Sequence, residues 1–94
     1  MDDNSIIKDL IRFQLNHEIK DSESNIRLLN HKIEFYNHKI EMLEQDKPFF
    51  FQKKKLEKYN KDLEECKNTI KETLILIEQE MDFIFRATSI DKEE

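Results

Sequence analysis

His31 and His38 each stand three residues before a glutamate, Glu34 and Glu41, inside a direct repeat of His-Lys-Ile-Glu at 31–34 and 38–41. A histidine and a carboxylate three apart on a helix are how di-metal bundles present their ligands, but such ligands must point inward. Ile33 and Ile40 also lie seven apart. If they occupy the buried position of a helical repeat, both histidines and both glutamates sit on its outer side. A duplicated surface heptad is the simpler account, so no metal site and no cofactor is expected. Cys66 is the lone cysteine and cannot form an internal disulfide, which fits a reducing compartment. No local Ser-His-Asp or Cys-His-Asp set is visible, and a chain with no glycine has no glycine-dependent phosphate loop. No catalytic residue is assigned, and a non-enzymatic role is expected.

The second cluster with chemical potential is Pro48-Phe49-Phe50-Phe51-Gln52-Lys53-Lys54-Lys55. Aromatic rings beside lysines can stack on bases and neutralise phosphates, insert at a membrane surface, or dock on another protein. The plainer alternative is a hydrophobic staple at a turn followed by a solvated lysine run. Three lysines are few for strong phosphate binding, and Glu57 follows closely. Phe50, Phe51, Lys53, Lys54 and Lys55 are therefore taken as a candidate partner-binding tip. Phe49 is expected to close the end like a stopper.

The elements that would carry these residues follow from one proline and one period. Pro48, the sole proline, lies almost at the midpoint of 94 residues. On its N-terminal side, Ile19, Ile26, Ile33 and Ile40 take position a of a heptad, with Ser22, Leu29, Tyr36 and Leu43 at d. On its C-terminal side, Leu56, Leu63, Ile70, Ile77 and Ile84 take a, and Tyr59, Cys66, Thr73 and Glu80 take d. Spacings alternating between three and four put both positions on one seam of a helix. With Asp46 as an N-cap and Pro48 in a first helical turn, the spacing predicts an all-α antiparallel two-helix hairpin forming a single domain. Its helices run over about 4–45 and 49–88, the turn over about 46–48, and a short polar tail follows. A single kinked helix is the alternative.

Two such arms have a thin core, and pairing into a four-helix bundle is the usual remedy. The apolar pattern supplies material for it. Leu28, Phe35 and Met42 form a second stripe at position c. Ile6, Ile7, Leu10 and Ile11 cover more than one face, and Leu74, Leu76, Phe83 and Phe85 belong to a stretch that is apolar nearly all round. These eleven residues are the expected oligomer interface, on the expectation that the two terminal regions lie side by side. Charge is polarised as well. From His31 to Lys61 eight lysines face five acids, net +3, so the rest of the chain carries −8 of the overall −5. Hairpins packed with their turns at opposite ends would set basic against acidic, which favours an antiparallel homodimer.

The net charge argues mildly against general nucleic-acid binding. No signal peptide or membrane span is apparent, so a cytoplasmic protein is expected. Heavy use of isoleucine, lysine and asparagine is the bias of an AT-rich genome, such as that of a low-GC bacterium or its phages. The function expected is that of a small self-associating interaction module, an adaptor, assembly factor or inhibitor acting on another protein. The alternative is a helical hairpin dimer that binds nucleic acid with its basic turn end. Salt dependence separates the two.

Overall fold

The computed structural model describes residues 3–92, and side chains from 4 to 89. It is an antiparallel pair of helices in contact, α1 (Asp3–Gln45) and α2 (Lys53–Lys92), forming a rod of 79 × 15 × 15 Å. Neither helix contains glycine or proline, so nothing interrupts it from within.

The turn is longer than the proline alone predicts. Asp46 does not cap α2; its N–H donates to the Leu43 carbonyl at 3.2 Å and tightens the last turn of α1. Pro48 disfavours helical geometry at Lys47, which ends the helix here. A second reversal follows. The Gln52 N–H donates to the Phe49 carbonyl at 3.0 Å, and the Phe49 N–H donates back to Gln52 Oε1 at 3.0 Å. The Gln52 carbonyl then accepts from Leu56 N–H at 2.9 Å, starting α2. The connection therefore spans 46–52, and α2 begins four residues later than expected, because the three phenylalanines turn rather than continue a helix. No described residue has positive φ, which is how this connection dispenses with glycine. Gln52→Ala removes one braced turn contact. We expect a loss of about 0.5–1.5 kcal/mol, read as a lower urea midpoint at unchanged slope.

The seam follows the heptads. Every a and d residue from Leu15 to Leu43, and from Leu56 to Ala87, is buried or half-buried. The fully enclosed members are small or flat: Ser22, Tyr59, Cys66, Thr73, Ile77 and Ala87. Thr73 is 1% exposed, and its hydroxyl donates to the Thr69 carbonyl at 2.7 Å, so the seam accepts a hydroxyl without an orphaned donor. Phe49 is not the stopper. It is 67% exposed and stacks on Phe51, while Pro48 and Gln52 are the half-buried residues of the turn.

The two helices are offset along their axis. The Asn25 amide donates to Glu80 Oε1 at 3.3 Å. Counting an equal rise in both directions from that pair, Phe13 comes level with Lys92, the last described residue of α2. The start of α1 runs past that point, and every side chain from Asn4 to Gln14 is exposed. The apolar residues of 6–13 and those of 74–85 thus sit at different heights rather than side by side. The hydrogen bond marks this register: 74–85 packs beside the stretch around Ser22–Leu29, not beside the N-terminus.

A candidate docking groove along one side of the hairpin

A chain of 11.5 kDa folded compactly would expose about 5,800 Å². This one exposes 8079 Å². Two helices bury one stripe each and leave the flanks open, and many large apolar side chains stand on them. Ile6, Ile7, Leu10, Ile11, Leu28, Phe35, Met42, Leu74, Leu76 and Phe85 are all at least 45% exposed, and Phe83 is 37% exposed.

The flanks are not equivalent. In an antiparallel pair the g positions of both helices fall on the same side of the seam, with the c positions beyond them. On that side α1 presents Leu28, Phe35 and Met42 at c, and α2 presents Leu76 and Phe83 at g. The surface is hollowed there along the rod. Near the turn, a hollow of about 370 Å³ is lined by Lys39, Met42, Pro48, Lys55 and Lys58, among others. Further along, Leu28 and Leu76 share the wall of another. Toward the far end, a hollow of about 400 Å³ is lined by Glu18, Asp21, Glu80 and Phe83 with their neighbours. The hollows follow one side of the rod: the turn-end one sets Lys39, Lys55 and Lys58 beside Asp46 and Asp62, the next is polar and holds Asp62 and Glu65, Leu28, Leu29 and Leu76 line the one beyond it, and Glu18, Asp21 and Glu80 line the far end. The opposite flank of α1 is polar: Asn16, Glu23, Asn30, Asn37 and Glu44 occupy its e positions.

The stripe at position c was visible in the sequence, but its continuation across the seam onto Leu76 and Phe83 was not recognised. The signal was available, because antiparallel pairing alone brings g beside g. Met81 and Ile75, exposed on the other side of α2 together with Leu74 and Phe85, were likewise outside the expected interface.

The tip residues come together at one end of the rod. Phe50 is 86% exposed and meets Phe51 edge to face, with centroids 5.6 Å apart. Lys53, Lys54 and Lys55 form the first turn of α2, where the helix dipole is itself positive. The three lysines gain nothing from that position, and the tip is a site of positive potential. The histidines lie outside the seam. His31 Nδ1 stands 3.6 Å from Glu34 Oε2 and His38 Nδ1 stands 4.0 Å from Glu41 Oε2, both on the exposed surface. Among the described residues no group of three or more His, Cys, Asp or Glu side chains could hold a metal ion. Cys66 is buried and free. No helix in the described residues is long and apolar enough to cross a membrane.

No family model, curated protein or solved structure matches this chain. The groove therefore stands on its own geometry: an apolar strip with lysines in excess at the turn end and carboxylates at the other, on a rod with more surface than its core can use.

Proposed function

We propose that this chain is a non-enzymatic protein–protein interaction module, a small adaptor, assembly factor or inhibitor that acts by occupying a surface on other proteins. The supporting observation is the row of exposed Leu28, Phe35, Met42, Leu76 and Phe83 along one side of the rod, an apolar strip of a kind that monomeric proteins seldom leave open. Self-association into an antiparallel four-helix bundle is part of this proposal, because a second hairpin laid on the groove would cover side chains that one hairpin cannot. The tip, with Phe50, Phe51 and Lys53 to Lys55, is a second protein contact.

Affinity capture from a host lysate, with and without nuclease, tests this. A protein recovered in both conditions supports the proposal; recovery lost with nuclease overturns it in favour of nucleic-acid binding. The lysines provide a sharper check. Replacing Lys53, Lys54 and Lys55 by glutamine should leave capture of a protein partner within a few-fold, whereas phosphate-driven binding would collapse and would already fall steeply between low and moderate salt.

A further inference from the structure

The end of α1 that runs past α2 and the aromatic turn at the opposite end are both exposed and apolar. They are separated by its full length, so one copy cannot bring them together. A second copy can. The rod extends from Asp3 to the turn, and with equal rise its midpoint falls close to Leu28, a residue of the groove. A twofold axis through the groove at that height lays two hairpins side by side, turn to tail, over their whole length. Residues 6–13 of each copy then come level with the turn of the other. Ile7 and Ile11, at c and g on the groove side, meet the end that carries Pro48, Phe49, Phe50 and Phe51. Leu28 and Leu76 meet their own counterparts near the axis.

Charge selects the same arrangement. Lys39 of one copy comes level with Glu18 and Asp21 of the other, and these residues line opposite ends of the groove. A parallel pair would instead set the lysine-rich turns against each other, and also the carboxylate-rich ends. The available area suffices: one side of a rod 79 Å long and 15 Å wide exceeds the roughly 800 Å² per partner of a standard stable interface.

We infer that the aromatic turn is a docking site for the α1 N-terminal turns of a second copy of this chain, in an end-for-end dimer whose twofold axis passes near Leu28. This rests on the proposed self-association and adds its register and the occupant of the tip. The site left for a foreign protein is then the far flank of α2, around Ile75, Met81 and Phe85.

Variants with one added cysteine test the register. Leu28→Cys, Ile7→Cys and Phe50→Cys are made separately in the full chain, at exposed positions that the hairpin core does not use. The wild type, whose Cys66 is buried, is the control. Under mild oxidation Leu28→Cys should convert to a disulfide-linked species of twice the mass. Ile7→Cys and Phe50→Cys should link to each other when mixed, while each alone stays at single-chain mass. Self-linking of Ile7→Cys or Phe50→Cys alone would overturn the inference by showing a parallel pair. Sedimentation at dimer mass with no link at Leu28 or in the mixture would overturn the register while leaving self-association intact. Sedimentation of the wild type at monomer mass would remove the self-association as well.

Discussion

Leu76→Glu should convert the proposed dimer to a folded monomer. Leu76 is 45% exposed in the single hairpin, so a carboxylate there is solvated and the two-helix fold has no reason to fail. In the end-for-end dimer Leu76 lies beside Leu28 near the twofold axis. The substitution places two carboxylates close together in the apolar middle of the interface, one from each copy. Lys32, at position g of α1 and about one helical turn away, is the nearest cation, and pairing with it offsets only part of the cost. Desolvating an unpaired charge costs several kcal/mol, and the like pair adds repulsion. An increase of at least about 100-fold in the dimer dissociation constant follows, since each 1.4 kcal/mol is a factor of ten. Sedimentation equilibrium reads this directly, with far-UV circular dichroism confirming unchanged helicity. Met81→Glu, on the other side of α2, should leave the mass unchanged. If Leu76→Glu keeps dimer mass, the groove is not the interface.

The neighbouring residue should behave in the opposite way. Ile77 is 8% exposed at position a, and Ile77→Ala opens a cavity in the seam. Truncations of this kind cost about 2–4 kcal/mol. Small domains have only about 5–15 kcal/mol in hand, and a two-helix rod has no second layer to absorb the loss. The expected result is a large fall in melting temperature and a population of opened chains. Cys66, 2% exposed in the intact seam, reports that population. In the limit where the hairpin recloses faster than the thiol reacts, its labelling rate should rise by about 30- to 700-fold, the same energy expressed as a ratio. A labelling rate unchanged from wild type would mean that Ile77 is not part of the cooperative core. One position along the helix therefore separates folding from association. A step of 100° moves the side chain from the seam to the groove.

The seam itself was legible from residue types alone. Apolar residues at alternating spacings of three and four share only one face of a helix, so the positions from Ile19 to Leu43 and from Leu56 to Ile84 mark the buried stripe by type alone. The place where α1 stops was legible for the same local reason, since a proline ends a helix through its own ring and missing N–H. The turn was less so. Asp46 has a capping side chain and Phe49 fits the extended heptad, yet Gln52 starts α2 and Phe49 lies in water. Competing turn hydrogen bonds settle that choice, and their energies differ by too little for residue preference to decide.

Axial registry was beyond the sequence. Heptads on two helices permit slips by whole repeats, and each slip keeps a and d on the seam while changing which residues lie abreast. The turn length and the Asn25–Glu80 contact choose one of them. That choice carries 6–13 past the end of α2, places Leu76 beside Leu28, and draws scattered c and g residues into a single groove. Composition and period by themselves determined an all-helical hairpin with apolar side chains to spare, because burial in a helix is a local matter of period. Only the tertiary structure decided which of those side chains form one surface and which charges close its ends, because adjacency between helices depends on how far one slides along the other.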